Sequence, residues 1–337
     1  MAKAEVKYRR ERIDRCVKAR SDTIFALSSY QEMLYLLLPR VLPVVTLLVL
    51  PVAVKGYWGT VIVHVCVYAL LALSWDLLAS VGLISFGQAF LFGAGAYTAG
   101  CLNHYLGWPI YLTIPAGTLG GALVCTLLLA PVVRLRGVYF AMVTLAFIMV
   151  APRIIEAAKV AGGTEGLSAL ALFPNATAAA YLAMGAVLIC LFGFRRLINE
   201  DYGLVIRGIR DDDRAVMAGG INIHWFKIQV LFIASAVGAF AGAFMTHYVQ
   251  FVGLSAFALD YSILPLACVA LGGGGSFAGA VTGAFILVPL SETLRALGGL
   301  RIVLYSVILI GCVVGLPEGI FHYIERKYHQ LERLVEV

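Results

Sequence analysis

Residues 203–227 read GLVIRGIRDDDRAVMAGGINIHWFK. No other long charged run lies between hydrophobic segments, and this one falls near the middle of the 337 residues. Arg207, Arg210, Arg214 and Lys227 surround the acidic triplet Asp211, Asp212 and Asp213. A charge at the centre of a bilayer costs about 2.5–3.5 kcal/mol on insertion scales. The stretch is therefore expected in water, between neighbours that are not. Its residues predict a short helix: Asp211 or Asp212 caps the start, Ala215, Val216, Met217 and Ala218 continue it, and Gly219-Gly220 ends it. Spacing alone leaves two readings open, a solvated connector or a docking helix that a cytoplasmic partner grips.

Composition decides what surrounds it. Hydrophobic residues make up 61% of the chain and charged ones 13%, against roughly 25% charged in an average soluble domain. Mean hydropathy is +0.92. These values define a polytopic membrane protein, and its 35 glycines suit close helix approach and helix breaks. The net charge of +6 is no sign of nucleic acid, because the cations fall in loops. Cys66, Cys101, Cys125, Cys190, Cys268 and Cys312 sit in apolar stretches without metal or redox spacing, and read as small core residues. Residues 1–33 are too polar for a signal peptide and form a basic arm on the cytoplasmic side.

About ten hydrophobic segments follow, at 34–54, 58–80, 82–105, 109–132, 138–157, 176–195, 228–252, 259–271, 277–294 and 301–317. Each is near the roughly 20 residues that cross a bilayer, except a short eighth; the third is unusually rich in glycine. With the N-terminus inside, 20 of 25 Lys and Arg lie in cytoplasmic stretches, as the positive-inside rule asks. Ten crossings put both termini in the cytoplasm and run segments 1–5 and 6–10 in opposite senses, as an inverted 5+5 repeat. The expected organisation is an arm at 1–33, an all-α transmembrane bundle at 34–317 and a cytoplasmic tail at 318–337. The Gly/Ser-rich stretches 82–100 and 272–283 mark broken helices in corresponding places. Such breaks free backbone groups, tolerable only beside protein or a wet cavity. Close packing through pairs such as Gly238/Gly242 and Gly279/Gly283 explains the glycines equally well.

No HExxH, GxSxG, paired His/Cys ligand set or P-loop is present, so the chain is not expected to be an enzyme or to hold a cofactor. Intramembrane polar residues are the suspects. Asp76, within SWDLLAS, caps a turn or sits at the interface, with Ser74 and Ser80 in reach. Ser85 and Gln88 could face a cavity together, and Tyr139 and Thr144 are candidate path residues or helix–helix hydrogen bonds. Arg153 and Glu156 read as a local ion pair; His64, His104 and His247 read as packing groups. Gly162, Gly163, Thr164, Glu165 and Gly166 form an outer loop that suits a tight turn or a carboxylate.

Taken together and in order, WDLL (75–78), GLISFGQAFLFGAGAYTAG (82–100), LRGVYFAMVTLAF (135–147), GGTEGL (162–167), IRDDDRAVMAGGIN (209–222), ALGGGGSFAGAVTGA (270–284) and LPEGI (316–320) resemble the permease subunit of branched-chain amino acid ABC importers. The resemblance spans about residues 60–320. It implies an inner-membrane subunit that forms the path for branched-chain amino acids delivered by a soluble binding protein. It also implies a homologous second permease and two cytoplasmic ATPases that bind ATP-Mg. Ile209, Arg210, Asp211, Asp212, Asp213, Arg214, Ala215, Ala218 and Gly220 become the ATPase-coupling segment. Ser85, Gln88, Tyr139, Thr144, Gly162, Gly163 and Thr164 become the substrate path. Gln88 stands where the family commonly has His, and Asp76 where Asn is frequent, which leaves urea or another small amide or acid open as the solute. An ion-coupled secondary transporter using Asp76 or Glu292 is the rival of another class.

Overall fold

In the computed structural model the described residues are 8–12, 41, 44, 45, 49, 51, 56–135, 137–159, 161–298, 300–316, 318–328 and 332–336. Most of the arm at 1–33, and of the first expected segment at 34–54, lies outside them. Twelve described helices follow: α1 (Tyr57–Ser80), α2 (Gln88–Leu106), α3 (Ile110–Leu129), α4 (Val138–Ala158), α5 (Ala176–Asn199), α6 (Asp201–Asp211), α7 (Asp213–Ala218), α8 (Ile223–Val249), α9 (Asp260–Gly272), α10 (Ala278–Thr293), α11 (Leu300–Gly315) and α12 (Ile320–Tyr328). Outside this helical body, β1 (Tyr8–Arg12) and β2 (Glu332–Glu336) pair antiparallel, with Arg10 opposite Leu334 and Arg12 opposite Glu332.

Among the described residues, six stretches are long and apolar enough to cross a bilayer: α1, α3, α4, α5, α8, and the run Leu254–Gly272 that joins a 3-10 turn to α9. α1 is the hub, because nearly all of it is buried and it packs against α5, α8, α9 and α10. Apolar side chains gain nothing by leaving lipid for protein, so what holds such helices is close packing of small residues. The structure shows this directly where α2, α3 and α8 meet. A Cβ on Gly242 would lie 1.9 Å from the Phe92 carbonyl oxygen, and one on Gly95 would lie 2.1 Å from that of Ala239. Gly283 approaches the Cys268 carbonyl as closely, so the Gly238/Gly242 and Gly279/Gly283 pairs are packing contacts. α3, α4 and α5 are less than half buried and turn apolar faces outward.

Both glycine-rich stretches are breaks. Residues 81–87 are not helical and lead into α2; residues 273–277 separate α9, 13 residues long, from α10. The charged stretch forms two helices rather than one, because Asp212 leaves the helical region (φ −151°, ψ 100°) and restarts the chain as α7.

Candidate functional site

The polar pair α6–α7 is built by local rules. The Asp212 side chain accepts from the backbone N–H of Arg214 at 2.9 Å and of Ala215 at 3.3 Å, the capping expected of it. Gly219 ends α7, and Gly220 takes φ 81°, a conformation other residues rarely adopt. α6 buries Gly203, Ile206 and Ile209 on one face. Gly203 is needed there because a Cβ would lie 2.0 Å from the Ile198 carbonyl at the end of α5. Arg207 donates to that same carbonyl at 2.6 Å, and Tyr202 donates to Gln229 of α8 at 3.2 Å. Burial against α8 pushes the Tyr202 phenol above its usual pKa. Arg210, Asp211, Arg214, Ala215, Ala218 and Gly220 are exposed, and Ile209 is buried. The pair therefore presents one charged face outward and anchors the other.

The pair reaches the first break. The Arg210 backbone packs on the turn at Gly82, where an added Cβ would lie 3.7 Å from the Arg210 Cα. Behind that turn, the buried Asp76 carboxyl accepts from Gly275 N–H at 2.7 Å and from Phe277 N–H at 3.1 Å. It caps the second break. Ser74 and Ser80 do not bond Asp76: Ser80 donates to the Leu77 carbonyl, and Ser74 points to the first break.

Three of the expected path residues meet at that first break. Ser85 Oγ accepts from Gly87 N–H at 3.0 Å, and the Ser85 carbonyl accepts from the Trp75 indole at 2.7 Å. Thr144 of α4 accepts from Phe86 N–H at 3.1 Å and donates to the Ala141 carbonyl. Gln88 is wholly buried; its Oε1 accepts from Ser74 Oγ at 3.1 Å and its Nε2 has no partner among the described residues. Turning the amide over orphans the oxygen instead, so one polar atom of Gln88 is unmet either way. Ser85 precedes the helix and the two share no helical turn. Tyr139 is 71% exposed and joins none of them.

At the far end, Gly162, Gly163 and Thr164 make the tight turn. Glu165 and Gly166 donate to the Gly162 carbonyl at 3.1 and 3.2 Å, and Leu167 pairs with Val252. Arg153 and Glu156 form their local pair at 2.8 Å, and His247 packs between Thr113 and the Ala171 carbonyl. Among the described residues no three His, Cys, Asp or Glu gather as a metal site. A cavity between α1, α9 and α10 has no single residue that marks it in the sequence. Its lining side chains recur at i, i+3, i+4 and i+7 spacings on helices far apart in the chain.

A bundle of packed small-residue helices, two capped backbone breaks and a polar helix pair outside the apolar body define a multi-pass membrane permease core. The chain belongs to the branched-chain amino acid transport system / permease component family, whose pattern matches residues 57–316. It is 27% identical over 286 residues to the high-affinity branched-chain amino acid transport system permease protein LivM of Escherichia coli K12, covering 75% of this chain and 67% of that one. It is 36% identical over 104 residues to a probable branched-chain amino acid transport permease protein LivM of Methanocaldococcus jannaschii, about 30% of either chain. A solved inward-facing putative metal-chelate type ABC transporter superposes with a TM-score of 0.46 at 15% identity, covering 86% of this chain and 100% of its own.

Proposed function

We propose that this chain is the permease subunit of an ABC importer for branched-chain amino acids in the inner membrane of a prokaryote. In this reading it crosses the membrane ten times with both termini in the cytoplasm, as two inverted sets of five. A homologous permease completes the pore. A soluble binding protein loads it at the Gly162, Gly163 and Thr164 turn, and two ATPases holding ATP-Mg supply the work. The observation that carries the proposal is the α6–α7 pair, whose charged face is exposed while the Arg210 backbone of α6 lies against the Gly82 turn at the first break.

The geometry supplies a mechanical sequence. ATPase closure pushes α7, and Val216 lies under it against Gly208 of α6, 3.1 Å from where a Cβ there would be. α6 then bears on the Gly82 turn, which leads into Ser85 and Gln88, and on the neighbourhood of Asp76, which holds the second break. A zwitterion cannot cross about 30 Å of hydrocarbon unaided, so moving both breaks together opens a polar path to one side at a time. The unmet amide atom of Gln88 is a group that a passing solute can satisfy. Tyr139, on the outward face of α4, lines the path only from the side of a second subunit.

Replacing Asp211, Asp212, Asp213 and Arg214 with Ala is expected to leave insertion intact and to uncouple ATP hydrolysis from uptake in proteoliposomes. Uptake that remains tied to ATP as in the wild type would remove the docking role. Purification with the ATPase separates this reading from an ion-coupled carrier, which transports without one. Binding of leucine, isoleucine, valine and urea to the soluble receptor identifies the solute.

A further inference from the structure

The end of the bundle that carries the 162–167 turn holds an open-mouthed cavity. Three helix faces converge on it. α1 brings Tyr57, Val61 and His64 at helical spacing, and α9 brings Asp260, Ile263 and Leu264. α10 and the turn after it bring Val288, Glu292 and Arg295. Tyr248 donates to Thr60 at its rim, tying it to the outer loops.

Its charges are arranged unevenly. Arg295 donates to Glu292 Oε1 at 2.8 Å, and Tyr57 donates to the same oxygen. The Asp260 carboxylate makes no hydrogen bond or ion pair with another described residue. Asp260 and Glu292 set two carboxylates beside the one guanidinium of Arg295. Val61, Ile263, Leu264 and Val288 supply the apolar part of its wall. No metal cluster is present among the described residues.

From this juxtaposition we infer that the cavity between α1, α9 and α10 is an entry site for an α-amino acid zwitterion. Arg295 takes the ligand carboxylate, Asp260 and Glu292 share the ammonium, and the apolar wall takes an aliphatic side chain. The inference rests on the transport reading above and adds a site within the permease itself, ahead of the breaks. A guanidinium matches a carboxylate by two parallel N–H donors. The unpaired Asp260 supplies what the Glu292–Arg295 pair alone lacks, a partner for the positive end. A zwitterionic lipid headgroup offers the same two charges without the free aliphatic side chain.

The test is equilibrium binding of radiolabelled leucine to the permease–ATPase complex in phosphatidylglycerol nanodiscs, without receptor or ATP. Arg295→Gln and Asp260→Asn are each expected to weaken binding about tenfold, the effect of one lost charged contact. Arg153→Gln removes a similar local pair outside the cavity and is expected to change nothing. On the wild type, leucinol and 4-methylpentanoate, each lacking one charge, are expected to compete about tenfold worse than leucine. Undiminished binding in Arg295→Gln and Asp260→Asn overturns the site. Equal competition by leucinol overturns the zwitterion. Loss of leucine binding in phosphatidylethanolamine nanodiscs assigns the cavity to lipid and overturns the proposal. Stimulation of the same complex's ATPase by leucine-loaded receptor checks the transport reading separately: stimulation without cavity binding sinks only this inference.

Discussion

Asp76 offers the sharpest test of how the breaks are held. Asp76→Ala removes the acceptor for two backbone N–H groups. Gly275 is exposed and its N–H can turn to water, so that loss is an ordinary hydrogen bond, about 0.5–1.5 kcal/mol. Phe277 is buried, and its N–H is left with nothing, about 1–3 kcal/mol. Together the break between α9 and α10 loses about 1.5–4.5 kcal/mol. Asp76→Asn keeps one acceptor oxygen and loses about half of that. Cys268, fully buried on α9 one turn before the break, reports on opening. Its labelling rate with a membrane-permeant maleimide follows the population of the locally opened state. At the lower bound of about 1.5 kcal/mol, Asp76→Ala raises that rate about 13-fold, with Asp76→Asn between it and the wild type. Cys66 on α1, equally buried but remote from the break, serves as the control for global loosening. Wild-type labelling of Cys268 in both variants, or equal acceleration at Cys66, refutes the capping role.

Two other outcomes follow from the packing. Gly242→Leu sets a Cβ 1.9 Å from the Phe92 carbonyl oxygen, about 1 Å inside the closest approach real Cβ atoms make. Overpacking of this kind costs about 1–3 kcal/mol or more, and the monodisperse fraction on size exclusion is expected to fall, while Gly185→Leu, with open space around it, leaves it unchanged. Gln88→Ala keeps the Ser74 bond to the Ala234 carbonyl at 2.9 Å, so folding is preserved and the apparent affinity or selectivity among transported solutes shifts. An unchanged uptake profile removes Gln88 from the path.

What the sequence discloses here is local. The Asp212 cap, the Gly219-Gly220 stop, the 162–166 turn and the Arg153–Glu156 pair each depend on residues a few positions apart, and each stands where the spacing puts it. The two breaks are legible because glycine runs interrupt apolar periodicity. The first helix of the polar pair, α6, is harder to see: its buried face is Gly203, Ile206 and Ile209, and one of the three is a glycine. What escapes is non-local. Asp76 caps a backbone turn 199 positions away, while its neighbours Ser74 and Ser80 bond elsewhere. The cavity at Asp260 and Arg295 escapes for the same reason, since three periodic rows do not say which helices stand together. Nor does YRRER alternate in a way that announces its pairing with ERLVE.

α4 is held to the body by a narrow spine of Phe140, Ala141, Thr144 and Ile148, and most of its remaining surface is open. Along that spine, Thr144 reaches across to the backbone at Phe86. A second subunit pressing on the open side of α4 therefore has a one-residue lever, Thr144, onto the backbone between α1 and α2.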